Sequence, residues 1–385
     1  MASNQNDLCG ALRREVVRAA LERFQGMMVQ NNLETMDDSN AEDPKGIYEV
    51  EEMLNIPYMN RSEVPLAMDI FKPKISDTAE LPVIVTIHGG GLVLGDRKMA
   101  RKYATLLAKR GYLVFSIEYR LAPRANAAEQ LDDVCAGMDL IGRRLVDFNV
   151  DFRRVFLTAE SAGAYLAIYV AAMNQSKALQ EAIGYKPTRM KFKALGLFSG
   201  MFYTNREDLI GWLLSEQFYG DKKTDPKFLK YMDPENPEII DNLPPTFLVT
   251  SQGDFLNNYT LMFHDAMKEA HKTSHLLYYG ERDLGHAFVT GHPGLEKSID
   301  AIDQMTAWFE EQAVHATKEM KASASTNAKK TSAANSAKKE TAKKDSAKKE
   351  TAKKETAKKT STKKTSAKKT TSDNKSAKKT GGEKK

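Results

Sequence analysis

The sequence predicts an α/β protein whose core is a mostly parallel, doubly wound sheet. Two patterns and a length predict it. Short apolar runs alternate with segments of helical period from Leu81 to Gln312, the order expected when crossover helices cover both faces of a parallel sheet. The runs Leu81-Pro82-Val83-Ile84-Val85-Thr86-Ile87 and Tyr112 to Tyr119 are apolar at nearly every position, as strands buried on both faces must be. With the polar ends set aside, the remainder fits one α/β domain of about 250–300 residues, enough to bury a core without staples.

Residues Leu8 to Val29 carry apolar side chains at Leu8, Leu12, Val16, Ala19, Ala20, Phe24, Met27 and Met28, close to the spacing of an amphipathic helix. Residues 1–45 are therefore read as an N-terminal helical cap segment, packed on the body and able to lie over a site there. From Gly46 the pattern turns to strands: Tyr48 to Tyr58 and Leu66 to Phe71, separated by the polar turn Asn60-Arg61-Ser62-Glu63. The strand Leu81 to Ile87 comes next, followed by a helix from Met99 to Arg110, a strand from Tyr112 to Tyr119 and a helix from Glu129 to Asp147. A strand from Val155 to Thr158, a helix from Ala164 to Met173 and a strand from Phe192 to Ser199 continue the alternation.

Residues 200–242 break it with aromatic and Pro/Asp-rich sequence. This stretch is read as a cap insertion above the sheet edge, whose Phe202, Tyr203 and Trp212, with Phe24 and Met27, are expected to shape a pocket. The alternation resumes with a strand from Thr246 to Ser251, a helix from Asn258 to His271, a strand from Ser274 to Tyr279 and a final helix from Gly294 to about Gln312. The α/β domain so outlined spans residues 46–317.

Two cysteines, Cys9 and Cys135, offer no disulfide or metal-ligand spacing and read as free thiols of a reducing compartment. Met1 to Gly10 is polar and Arg13 and Arg14 follow without a continuous apolar run, so neither a secretory signal nor a membrane span is expected and the cytoplasm is the expected location. The net charge of +6 averages two opposite parts: Lys321 to Lys385 holds 22 lysines against 6 acids, a net of +16, which leaves −10 for Met1 to Met320. Any polyanion affinity implied by the basic balance belongs to the tail alone.

The chemistry begins at Val155-Phe156-Leu157-Thr158-Ala159-Glu160-Ser161-Ala162-Gly163-Ala164. An apolar β-branched run meets a serine flanked by small residues, and an alanine-rich helical pattern follows. A serine at such a strand-to-helix apex projects above the sheet edge, where it can reach a base and where backbone N–H groups can receive an oxyanion. The usual signature is Gly-x-Ser-x-Gly; here Ala159 stands at the first glycine. Upstream, the buried strand ending at Ile87 runs into His88-Gly89-Gly90-Gly91, and Tyr119-Arg120-Leu121-Ala122-Pro123 follows the next strand.

These three motifs, in this order, resemble the hormone-sensitive-lipase branch of the α/β-hydrolases, over roughly Tyr48 to Gln312. The resemblance implies a carboxylic-ester hydrolase with a Ser/Asp/His triad, an N-terminal helical cap and no cofactor. Glycines after a buried strand let N–H groups approach a substrate with no side chain in the way, so the oxyanion hole is assigned to Gly89 and Gly90, with Ala162 as third donor, and His88 is structural. The triad order of this fold places the acid after the strand ending at Ser251, where Asp254 is the candidate, and the base after the last strand, where His286 is preferred to His292. Relatives often read Asp-Pro-Leu-Arg-Asp at the acid and His-Gly-Phe at the base; this chain has Asp254-Phe255-Leu256-Asn257-Asn258 and His286-Ala287-Phe288. Asp265, on the following helix, is read as a solvated charge. In the mechanism this resemblance implies, Ser161 would attack an ester carbonyl, His286 would take its proton, and Asp254 would orient the imidazole.

The expected substrate is a small-molecule ester with a small or medium acyl group. A hydrolase-fold protein that binds a small molecule without turnover, and an amidase or peptidase, are the alternatives. The tail, residues 318–385, repeats Lys-Lys pairs every five residues from Lys338-Lys339 to Lys368-Lys369 with almost no large apolar residue. With nothing to bury it cannot offset its ordering entropy, so disorder is expected. It resembles linker-histone tails: non-specific binding of nucleic acid or another polyanion, with salt sensitivity, stands beside a purely solubilising role.

Overall fold

The computed structural model describes residues 43–315 apart from 44, 62–63, 77 and 209–218. The expected helix at Leu8 to Val29 and the lysine-rich tail lie outside the described residues, and the insertion at 200–242 lies partly outside them. Eight strands form one sheet: β1 (Val50–Arg61), β2 (Val64–Pro73), β3 (Leu81–Ile87), β4 (Leu113–Ile117), β5 (Val150–Glu160), β6 (Leu195–Phe198), β7 (Thr246–Ser251) and β8 (Ser274–Tyr279). Their spatial order is β1-β2-β4-β3-β5-β6-β7-β8. β1, β2 and β4 pair antiparallel, and every pair from β4 across to β8 is parallel. The longer helices are α1 (Arg101–Lys109), α2 (Ala127–Arg144), α3 (Ser161–Met173), α4 (Asn257–Glu269) and α5, residues 296–315.

Strand alternation divides the interior into two cores. Val83, Val85 and Ile87 of β3 face the core shared with α2, α3 and α4, where they meet residues such as Leu131, Met138, Ile168 and Phe263. Ile84 faces the opposite core, with Tyr103 and Leu107 of α1 and Ile302, Met305 and Phe309 of α5. Both faces of β3 are thus covered, and all its residues are buried. Each such aliphatic side chain contributes about 1.5–3 kcal/mol on leaving water.

Some boundaries differ from the periodicity. α2 starts at Ala127 rather than Glu129, because the Asn126 side chain accepts from Glu129 N at 3.0 Å while Glu129 Oε2 accepts from Asn126 N at 2.8 Å. This reciprocal capping box satisfies two N–H groups that the helix leaves open, so the helix begins at its cap and not at its first large apolar residue. β5 extends from Val150, well before the apolar run at Val155. α3 is buried at all 13 residues; α2, the strands β3, β5 and β6 and the short helix Pro237–Ile240 pack around it. A helix enclosed this way needs no polar face.

In the insertion, Phe202 and Tyr203 turn inward. Phe202 stacks on Phe263 of α4 with ring centroids 4.2 Å apart, and the Tyr203 hydroxyl donates to Glu235 at 2.6 Å. Both rings are buried, so they hold the insertion to the body; Phe24, Met27 and Trp212 lie outside the described residues. Among the described residues no helix is long and apolar enough to cross a membrane.

Candidate active site

Parallel strands place all their C-terminal loops at one edge of the sheet, and that is where Ser161, Asp254 and His286 meet. His286 Nε2 lies 2.9 Å from Ser161 Oγ, and His286 Nδ1 lies 2.7 Å from Asp254 Oδ1. The three residues come from the ends of β5, β7 and β8 and form one continuous hydrogen-bonded chain.

The turn that presents Ser161 has no connecting residue, since β5 ends at Glu160 and α3 begins at Ser161. Ser161 adopts φ +49°, a left-handed conformation that costs a side-chain-bearing residue about 1–3 kcal/mol and persists only where the surroundings enforce it. Ala159, by contrast, sits inside β5, paired with Ile87 and Leu197. Its backbone is ordinary strand, so the alanine at the first position of the signature meets no conformational demand for glycine. The demand falls on Gly163: a Cβ there would lie 2.4 Å from the Ile87 carbonyl oxygen and 2.6 Å from that of His88.

Asp254 is buried and held from several sides. Leu256 N–H donates to Oδ1 at 2.9 Å and the Thr250 hydroxyl to Oδ2 at 2.9 Å. Burial pushes its pKa up, but the hydrogen bond and charge of His286, with the Leu256 amide and the Ser199 hydroxyl, outweigh that and hold it below the usual carboxylate range. Ser199, at φ +50° just after β6, also accepts from the Ala287 N–H at 3.0 Å, and so ties the acid to the loop that carries His286. No motif pointed to Ser199 or Thr250, because their roles depend on contacts between separate loops. Ala287 itself stands at φ +56°, where the glycine of related sequences would be unstrained. Phe255, 60% exposed, leans its ring against His286 with centroids 4.3 Å apart.

His88 is buried and stacked on Tyr119 with ring centroids 4.4 Å apart. Its Nδ1 lies 2.8 Å from the Gly89 carbonyl, and burial depresses its pKa to about 4, so it is neutral and packs the loop. The Gly-rich loop is tied down from behind: Val93 and Leu94 N–H groups donate to Gly90 O at 3.1 and 3.0 Å, and Ala122 N–H and Gln130 Nε2 donate to Leu92 O, each at 2.9 Å. Gly90, at φ +103°, could carry no side chain, since a Cβ would lie 2.1 Å from Leu94 O. The Tyr-Arg-Leu-Ala-Pro segment braces this loop through Ala122 and is itself anchored by Arg120, whose Nε and Nη2 reach Asp133 at 2.7 and 2.9 Å.

Of the amides expected to face a substrate, Ala162 lies in the first turn of α3, where N–H groups have no intrahelical acceptor. The Gly89 N–H, expected to face the substrate, instead donates to Glu160 Oε1 at 3.2 Å, because the residue before the nucleophile carries a buried acceptor that reaches the start of the loop. Glu160 is buried, and burial raises its pKa to about 7 against the opposing effects of the Gly89 hydrogen bond and the His286 charge. Its folded pKa exceeds the value of 4.5 it has when unhindered, so the folded chain holds a proton that the unfolded chain releases between those two values. Stability contributed by the neutral acid is complete below 4.5 and is lost as pH rises through about 7. Urea titrations are expected to show Glu160→Gln more stable than wild type at pH 8 by about 3 kcal/mol, with the gap narrowing steadily as pH falls towards 4.5. Among the described residues no group of three or more His, Cys, Asp or Glu side chains is placed to hold a metal ion.

The sequence matches the family described as alpha/beta hydrolase fold over residues 84–290, more than half of the chain. The chain belongs to the α/β-hydrolase family. This hydrolase is 26% identical over 127 residues to a probable isoprenylcysteine alpha-carbonyl methylesterase of Arabidopsis thaliana, covering 32% of the chain and 29% of that protein. It is 23% identical over 258 residues to a tuliposide A-converting enzyme of Tulipa gesneriana, covering 63% of the chain and 68% of that protein. Its fold is similar to that of esterase B from Lactobacillus rhamnosis, with TM-score 0.68 and 22% identity over 80% of this chain and 98% of that one. It is also similar to an esterase of Pyrobaculum calidifontis, with TM-score 0.56 and 22% identity over 77% of this chain and 94% of that one.

Proposed function

We propose that this α/β-hydrolase is a serine carboxylic-ester hydrolase of the hormone-sensitive-lipase type that works through an acyl-enzyme. The observation that carries this reading is the single imidazole, that of His286, bonded at once to Ser161 Oγ and to the Asp254 carboxylate. His286 takes the Ser161 proton as Oγ adds to the ester carbonyl, and the N–H groups of Gly90 and Ala162 receive the oxyanion, the Gly89 N–H being taken by Glu160. The tetrahedral intermediate collapses, His286 gives its proton to the departing alkoxide, and the alcohol leaves. Water then attacks the acyl-enzyme with His286 again as base, releasing the acid and restoring Ser161. Asp254 is held anionic and so keeps Nδ1 protonated and Nε2 free to accept.

Small or medium acyl groups are the proposed range. The similar proteins are named for a methylesterase and for conversion of tuliposide A, and the Lactobacillus esterase B is described with a tributyrin phosphonate. A fluorophosphonate probe is expected to label the wild-type chain at Ser161 and to leave Ser161→Ala unlabelled; failure to label well-folded protein would favour a binder without turnover. Asp254→Asn keeps the geometry but loses the anion that sets the tautomer, so kcat on p-nitrophenyl butyrate should fall about 10³–10⁴-fold with little change in KM.

A further inference from the structure

The proposed reaction leaves one buried ionisable group beside the nucleophile without a part to play. Glu160, the last residue of β5, precedes Ser161, and its Oε1 accepts the Gly89 N–H at 3.2 Å. The contact is close on more than one side: a Cβ placed on Gly89 would lie 3.0 Å from Glu160 Cγ and 3.1 Å from Ser161 Cβ.

We propose that Glu160 is a positioning residue for the oxyanion, its carboxyl oxygen holding the Gly89 amide so that the loop's N–H groups face Ser161 Oγ. A run of glycines has no side chains with which to hold a conformation, and its backbone entropy is the largest of any residue type. The rear of the loop is tied through carbonyls: Tyr119 OH donates to His88 O at 3.0 Å and to Gly89 O at 3.3 Å, and the Gly90 and Leu92 carbonyls are bonded as described above. Those bonds fix the back of the loop. Glu160 holds its front, on the amide side and next to the nucleophile.

The charge state suits the role. A full negative charge at this position would oppose the oxyanion, whereas a neutral acid still offers its carbonyl oxygen to the Gly89 N–H. Burial drives Glu160 towards the neutral form. Glutamine reproduces that acceptor; methionine reproduces the volume without it.

This inference rests on the proposed ester hydrolysis, and the experiment separates the two. Glu160→Gln and Glu160→Met are compared with wild type for kcat and KM on p-nitrophenyl butyrate. The inhibition constant of a trifluoromethyl ketone, which forms a tetrahedral oxyanion adduct, and amide hydrogen exchange of residues 88–95 are measured alongside. For Glu160→Met the expected results are kcat lower by about 10–100-fold, KM within about threefold, inhibition weakened in parallel with kcat, and faster exchange in the loop. Glu160→Gln should stay within about fivefold of wild type on every measure. Should the methionine variant not fold, Glu160→Leu, which likewise lacks an acceptor for the Gly89 N–H, should show the same losses. Equal kcat for the methionine and glutamine variants, or an unchanged inhibition constant in the methionine variant, would overturn the assignment. The exchange comparison needs no turnover: if wild type hydrolyses no ester, the ester reading fails, while unequal loop exchange still supports the Glu160 anchor and equal exchange still rejects it.

Discussion

Ser161→Ala should reduce kcat for p-nitrophenyl butyrate by about 10⁵–10⁶-fold while changing KM little. Oγ is the atom to which the acyl group is transferred, so its removal deletes the covalent route and leaves only what the oxyanion donors and substrate binding provide, a residual of about 10³–10⁴ over water. The same substitution should hardly affect folding. Alanine keeps the Cβ and therefore the strain at φ +49°, and the lost bond is a single one to His286 Nε2, so the urea midpoint should move by less than about 1 kcal/mol equivalent. Stopped-flow kinetics and urea unfolding on one preparation check both halves. Retention of more than about one per cent of kcat would show that another group is the nucleophile.

Gly163→Ala should be strongly destabilising. Its Cβ would lie 2.4 Å from Ile87 O and 2.6 Å from His88 O, and both are backbone atoms, at the end of β3 and at the start of the Gly-rich loop. Neither can rotate away, so either α3 lifts from the sheet or the loop is displaced. The expected cost is about 3 kcal/mol or more. A shift of the loop by a fraction of an ångström should also lower kcat about 10–100-fold in whatever protein remains folded. Gly142→Ala is the control. It lies in α2, where a Cβ would meet only Met190 Cγ at 3.5 Å, and should raise stability by about 0.5–1 kcal/mol through helix propensity.

The contrast between Gly163 and Ala159 shows why the motif was readable and where it misled. By spacing alone, Ala159 departs from the Gly-x-Ser-x-Gly signature at its first glycine. In the structure that position lies within β5 between two neighbouring strands, and the close approach that excludes a side chain occurs at the second glycine. A pattern of small residues reports that two backbones come close; it does not say which of its members bears the contact.

Much of the site was legible because its parts are local. A buried strand ending in a glycine run, a serine between strand and helix, and an acid and a histidine after later strands can each be read within about ten residues. β3, β7 and β8 match their predicted bounds for the same reason: apolar and β-branched runs of strand length, flanked by turn residues, leave little choice. The start of α2 was missed by two residues because Asn126 and Glu129 form a reciprocal cap that apolar periodicity does not register.

What the sequence determined by itself is the order of elements, the parallel sheet and which serine, acid and histidine stand at the strand ends that the fold brings together, because periodicity and turn chemistry are carried by neighbours along the chain. Tertiary structure decided the rest. Ser199 is joined to the Asp254 and His286 loops, Phe202 is drawn into the core against α4, and the Gly89 amide is turned onto Glu160. Each of these depends on distances between segments far apart in sequence, set by how helices and loops pack over the sheet, and no local pattern encodes them.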